Sequence, residues 1–341
     1  MKFSRKLIPA SNVGSLTWCG DTLVDWVGGI QVFHLDGKHE KSRLHWGGFG
    51  FDAAVAATDG RHVVIYKCLG TKALLLRDGE ILRELNRSYY FAEVYEYPVC
   101  VWNTSDGRTL IAHCPEEYCR MDIEDAETGE RLTNGDRKPE DFFHSRLLVN
   151  ATGTRILSAG WMWHPLDGVV HYDVAEALRS PSHLDSVDNR VPNTGEINIA
   201  EAGSACWQTA DRLLLGGVSD EDEPLNDEAK EAKERRLNAN GIAIYDVGSK
   251  KYIRSVILGE VPGTMMPVCE QHVVCFYQHP KLISLVSGEV LMEWDDLDSG
   301  TQNSSILGDS KLPPIALDAE NNRFAVAGPS GITVVQIDLS A

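Results

Sequence analysis

Near one end of the chain stand IALD (315–318), AENN (319–322), RFAVAGPS (323–330) and GITVVQIDLSA (331–341), and near the other stands KFSRKLI (2–8). The first four segments read as three apolar strands joined by turns of Asn, Gly and Ser, residues that suit tight hairpins. That unit has no fourth strand. KFSRKLI is a strand with no unit of its own. Pairing the two removes two open sheet edges, and so predicts that the first strand completes the last sheet.

The same unit recurs six times between these ends. Each copy is an apolar strand, a polar turn, a second apolar strand, a connection of variable length, a third strand that often ends in Asp, and a more polar last strand. The first copy has SLTWC (15–19), TLVDWVG (22–28), IQVFHLDG (30–37) and a polar strand near 38–44. The second has AVAA (54–57), HVVIYKCLG (62–70), ALLLRDG (73–79) and EILREL (80–85). The third has VCVW (99–102), TLIAHC (109–114) and CRMDIEDAETGERL (119–132), and the fourth RLLVN (146–150), RILSAGW (155–161) and VVHYDV (169–174). The fifth has ACWQ (205–208), RLLLGGV (212–218), GIAIYDVGSKK (241–251) and YIRSVIL (252–258). The sixth has MPVC (266–269), HVVCFYQ (272–278), KLISLVSG (281–288) and EVLMEW (289–294). Near-continuous apolar early strands suit sheets covered on both faces, and the alternating later strands suit an outer position. Seven units with complementary ends predict an all-β, seven-bladed β-propeller of four-stranded antiparallel blades, closed by its N-terminal strand. The whole chain, 1–341, reads as one such domain, with a charged helical insertion at about 219–240 in blade five.

The third-strand endings FHLDG (33–37), LLRDG (75–79), VHYDV (170–174), IYDVGS (244–249) and VQIDL (335–339) carry a resemblance. In them the chain resembles the WD40-like and YVTN-like seven-bladed propeller repeat superfamily, along nearly its whole length. The Gly-His and Trp-Asp dipeptides of WD40 repeats are absent from the expected positions. The resemblance therefore implies a fold, and carries over neither a partner nor a catalytic residue.

Lys and Arg number 32 against 50 Asp and Glu, a net charge of −18. A field of that sign repels nucleic acid and anionic membranes and speeds encounter with a basic partner. The basic N-terminus lacks the apolar run of a signal peptide, and no stretch has the length of a membrane span. Eight cysteines are scattered through apparent strands without a CxxC pair or zinc-site spacing. They read as buried thiols of a cytoplasmic, monomeric protein.

Long connections are where a propeller acts, because rigid blades hold them in place. Those between blades, and those joining second and third strands, emerge at the same end of the blades. The insertion SDEDEPLNDEAKEAKERRLNANG (219–241) reads as a helix from Asn226, capped by Asn226 and ending on Arg235 and Arg236. Across 228–239 only Leu237 is a large apolar residue, so the segment is either a solvated excursion or a helix that meets a partner. Aromatic residues crowd other connections: Trp46 with Phe49 and Phe51; Tyr89 and Tyr90 within RSYYFAEVYEYP (87–98); Phe142, Phe143 and His144; and Trp161, Trp163 and His164. Tyr and Trp are what interface anchors use, and they are equally what wedges between blades use. Trp46, Tyr89, Tyr90, Phe142, Trp161 and Trp163 are the candidate binding residues. The carboxylates Asp295, Asp296 and Asp298 could ligate calcium, but without EF-hand register they read as a solvated loop.

No catalytic constellation is visible. The strand histidines form no HxH or HExxH, there is no GxSxG, and the Gly-rich VGGIQV and GGFGF do not open helices. No catalytic residue, metal site or cofactor is expected. The leading reading is a non-enzymatic protein-interaction module that presents a loop-rich face to a protein partner, with an inhibitor or immunity-type protein for a basic target as a narrower form. The alternative is a propeller hydrolase or lyase acting on a small molecule at the central channel.

Overall fold

In a computed structural model, residues 1–42, 46, 49–163, 165–188, 190–191, 200–218, 237–308, 310 and 312–339 are described. The helix expected from Asn226 falls within residues 219–236, and His164 likewise lies outside the described residues.

Strand β1 (Lys2–Ile8) opens the chain, and seven antiparallel sheets follow. Blade one is β2 (Thr17–Cys19), β3 (Thr22–Asp25), β4 (Gln31–His34) and β5 (His39–Lys41). Blade two is β6 (Ala53–Ala56), β7 (His62–Tyr66), β8 (Lys72–Arg77) and β9 (Glu80–Asn86). Blade three is β10 (Val99–Asn103), β11 (Thr109–His113) and β12 (Asp122–Asp125); blade four is β13 (Leu147–Val149), β14 (Arg155–Met162) and β15 (Leu166–Asp173). Blade five is β16 (Glu201–Trp207), β17 (Arg212–Val218), β18 (Gly241–Asp246) and β19 (Lys251–Ile257). Blade six is β20 (Met265–Cys269), β21 (His272–Cys275), β22 (Lys281–Ser284) and β23 (Val290–Glu293). Blade seven is β24 (Ile315–Asp318), β25 (Arg323–Gly328) and β26 (Gly331–Asp338), with β1 as its fourth strand. The chain is a seven-bladed β-propeller whose ring is closed by its N-terminal strand.

β1 pairs antiparallel with β26 from Lys2 opposite Asp338 to Ile8 opposite Ile332. A Cβ at Gly331 would meet the Ile8 carbonyl oxygen at 2.3 Å, and its φ of +134° suits glycine. Ile8 is buried with Leu16, Leu23, Phe33 and Ile332, whereas Phe3 and Leu7 are exposed. The closing strand is therefore held by its hydrogen-bond ladder and one apolar anchor.

In blade three the fourth strand shrinks to a single bridge, Glu124 to Arg131, and in blade four the described residues after β15 add the bridge Val170 to Arg190. Charge explains the first case. Asp122 is fully buried, with the guanidinium of Arg137 at 3.1 Å, that of Arg120 at 3.2 Å and the Thr133 hydroxyl at 2.9 Å. Arg137 also meets Asp185 at 2.7 Å. Satisfying a buried carboxylate this way draws residues 133–137 inward and off the ladder. After β15, the side chain of Asp173 accepts the Glu176 N–H at 2.9 Å and starts the short helix α1 (Val174–Arg179).

Two compact units are distinguishable. One comprises Met1–Pro139, Ala177–Asp185 and Pro313–Ala341; the other comprises Glu140–Glu176 and Ser186–Leu312. Within the first, apolar clusters fill the spaces between blades seven and one, one and two, and two and three. Within the second they lie between blades four and five, and five and six. Among the described residues no helix is long and apolar enough to cross a membrane.

Candidate binding site on the connection from blade two to blade three

β9 ends at Asn86, and the chain reaches β10 through residues 87–98. The first of these residues decides the shape of the rest. Arg87 is buried, and its guanidinium donates to five backbone carbonyls: Gly70 at 2.7 Å, Ala92 at 2.6 Å, Tyr95 at 3.0 Å, Glu96 at 3.2 Å and Cys68 at 3.4 Å. It also lies over the rings of Tyr95 and Tyr97, at 4.5 and 5.2 Å from their centroids. Burial pulls its affinity for the proton below the ordinary arginine value, yet guanidinium stays charged at any relevant pH. The same burial pushes the Tyr95 and Tyr97 hydroxyls well up. One cation thus gathers carbonyls from both ends of the connection and ties its root to blade two.

Above that root the chain turns tightly. Ala92 N–H donates to Tyr89 O at 3.1 Å, Val94 N–H to Phe91 O at 3.0 Å, and Phe91 adopts a φ of +52°. The consequence is exposure. Tyr89 is 82% exposed and Tyr90 45%. Tyr90 meets Phe91 edge-on at 4.8 Å and Tyr118 at 5.0 Å between centroids. Tyr118 sits on the connection from β11 to β12, at the same end of the blades, as antiparallel strand order requires. Between the two connections lies a shallow open depression of about 720 Å³, with Arg87 and Phe91 among its walls and Glu93, Pro115 and Glu116 along its edge. Glu116 is ion-paired with Arg131 at 2.8 Å, a hydrogen bond that holds its carboxyl below the usual range. Glu93 is exposed at the rim.

The other sequence candidates go elsewhere. Phe142 is fully buried and Trp161 is 2% exposed, which removes both from the surface. The cause is a bridge: Phe143 N–H donates to Trp161 O at 2.8 Å and Trp161 N–H returns to Phe143 O at 3.2 Å, so residues 142–144 extend blade four. Phe143 stacks on Trp161 with centroids 3.8 Å apart, and Gly160 leaves the room, since a Cβ there would meet Phe143 O at 1.9 Å. Trp163 packs edge-on to both rings and is 39% exposed. Trp46 is half-buried against blades one and two, its indole N–H donating to Trp26 O at 2.6 Å. Of the six candidates, Tyr89 and Tyr90 are the two that line this depression. Sequence reasoning missed Arg87, Glu93 and Tyr118. An Arg following a polar outer strand looks like ordinary surface, and nothing in its neighbours marks it as buried.

Strand histidines take structural partners: His34 lies 3.2 Å from Glu40, His62 2.9 Å from Glu127 and His113 3.3 Å from Glu124. Leu237, the apolar residue noted in the blade-five insertion, is buried in the cluster between blades four and five. Asp298 accepts the Gly300 N–H at 3.1 Å, a turn within its own loop.

No protein-family model matches this chain, and no curated protein sequence matches it. Solved structures do. A hydrazine synthase chain from Kuenenia stuttgartiensis is similar with a TM-score of 0.59 and 11% identity, over 98% of this chain and 98% of that one. The Cps50 (Swd1) β-propeller domain of Myceliophteria thermophila is similar with a TM-score of 0.57 and 10% identity, over 98% of this chain and 100% of that domain. The likeness is one of fold. A hydrazine synthase chain and the Cps50 (Swd1) β-propeller domain share it equally, so it carries no activity to this chain.

Proposed function

We propose that this chain is a non-enzymatic protein-interaction module, and that the Tyr89–Tyr90 depression docks a basic segment of a protein partner. One observation carries the reading: two adjacent tyrosines stand in solvent on a connection whose root is locked by a buried arginine. A rigid loop presenting aromatic rings loses little entropy on binding, and such rings are preferred anchors. An Arg or Lys side chain laid on a tyrosine ring gains about 0.5–1 kcal/mol at an exposed site. Glu93 at the rim adds a carboxylate, and the net charge of −18 favours encounter with a basic surface while disfavouring nucleic acid and anionic membranes. In its narrower form the module is an inhibitor or immunity-type protein that masks a basic target, for which only the net charge speaks. Eight free cysteines suit a reducing, cytoplasmic setting, and we take the protein as a monomer there.

Capture from lysate of the source cells, run in parallel with wild-type protein and a Tyr89→Ala/Tyr90→Ala double variant of equal melting temperature, tests this. The expected result is a basic protein retained by the wild type and lost by the variant. Identical retained sets for both would place recognition elsewhere.

A further inference from the structure

In blade six, β20 and β21 are joined by a two-residue turn, and Cys269 and His272 face each other across its last rung. Side chains opposed in this way share one face of the sheet. Cys269 Sγ lies 3.2 Å from His272 Nδ1, and the Gln271 N–H donates to the same sulfur at 3.4 Å. The turn is pinned from two sides: Gln208 Nε2 donates to Glu270 O at 3.1 Å, and Leu285 N–H to Gln271 O at 2.8 Å. The thiol and imidazole are thus held in contact by the hairpin itself, at a partly exposed position.

Of the other seven thiols, Cys119 is buried with the Glu117 carboxylate at 3.9 Å, and the remaining six are a contrast. Burial pushes Cys100 and Cys206 up to about 12 and Cys68, Cys114 and Cys275 further still, which makes them inert. Cys19, partly exposed like Cys269, is also raised by burial, and its neighbours are Thr17 and Asp59 rather than an imidazole. Desolvation lowers the pKa of His272 and so favours the neutral ring, which faces the thiol within hydrogen-bond distance.

We propose that Cys269 and His272 form an activated thiol, and that Cys269 is a site of covalent modification by small soft electrophiles, peroxides in particular. The thiol proton passes to His272 Nδ1, and the Gln271 N–H supports the charge that develops on sulfur. With hydrogen peroxide the sulfur attacks one oxygen, the S–O bond forms as the O–O bond breaks, and the departing hydroxide takes the proton from the imidazolium and leaves as water. Sulfur is oxidised by two electrons to the sulfenic acid and the peroxide is reduced.

The test uses the full chain, folded and reduced. Substoichiometric hydrogen peroxide with a dimedone trap, and separately a time course with iodoacetamide, are followed by peptide mapping of all eight cysteines. Cys269 is expected to react first in both, roughly tenfold faster than Cys19, as a nucleophile with an adjacent base should. His272→Gln is expected to slow Cys269 alkylation by about fivefold or more while leaving Cys19 and the melting temperature unchanged. Reaction of Cys269 at the rate of Cys19, or an unchanged rate in a folded His272→Gln variant, would overturn the proposal. Should that variant unfold, the wild-type ratio decides alone.

Discussion

Two connections in this propeller carry the same sequence signal and end in opposite environments. Residues 87–98, between blades two and three, hold Tyr89, Tyr90, Phe91, Tyr95 and Tyr97. Residues 140–146, leading into blade four, hold Phe142, Phe143 and His144 and meet Trp161. In the first, a single buried cation grips the backbone and leaves two rings outside. In the second, a backbone bridge draws the segment onto a blade and takes every one of those rings inside. Aromatic content therefore does not decide exposure. How the connection satisfies its own backbone polar groups does, because an unpaired buried N–H or C=O costs about as much as the contact it would permit.

The comparison can be broken first at its buried side. Trp161→Ala removes a fully packed ring stacked on Phe143 and should destabilise the protein by roughly 3–5 kcal/mol in denaturant melts. A loss below about 1 kcal/mol would mean that the ring is a surface anchor after all. Next comes the pin. Arg87→Met keeps the apolar stem but removes a donor from five carbonyls, of which Cys68 O keeps the Tyr97 N–H, and should cost about 3 kcal/mol. Amide exchange across residues 88–97 should accelerate more than exchange in β10 or β9. If protection there is unchanged, the loop does not depend on Arg87. The smallest effect on stability belongs to the exposed side. Tyr89→Ala should shift the unfolding free energy by no more than about 0.5 kcal/mol. Once a partner is in hand, the same change should weaken binding by about 2 kcal/mol, roughly thirtyfold.

The same contrast shows how much could be read in advance. The blades were legible because each strand states its position: continuous apolar runs such as HVVIY and TLIAH inside, alternating ones such as EILRELN outside, with Gly or Asn at the turns between. The pairing of β1 with β26 was legible from a spare strand and a missing one. The collapsed fourth strand of blade three was not, since GERL reads as an ordinary outer strand until Asp122 and Arg137 meet beneath it. Tyr89 and Tyr90 were found by composition, as were Phe142 and Trp161, and composition could not separate them. The separating facts are a guanidinium reaching back to Cys68 and Gly70 and a bridge from Phe143 to Trp161, both long-range contacts without a local signature.

Tyrosine nitration reads the division within the first connection most directly. Tetranitromethane attacks accessible phenolate, and burial both covers Tyr95 and Tyr97 and raises their hydroxyl pKa values. Brief treatment of the free protein followed by peptide mapping should find nitrotyrosine at Tyr89 and Tyr90, with Tyr95 and Tyr97 unmodified, and a melting temperature that does not change. Nitration of all four at one rate, or protection of Tyr89 and Tyr90, would contradict the account of a loop pinned by Arg87 and open above it.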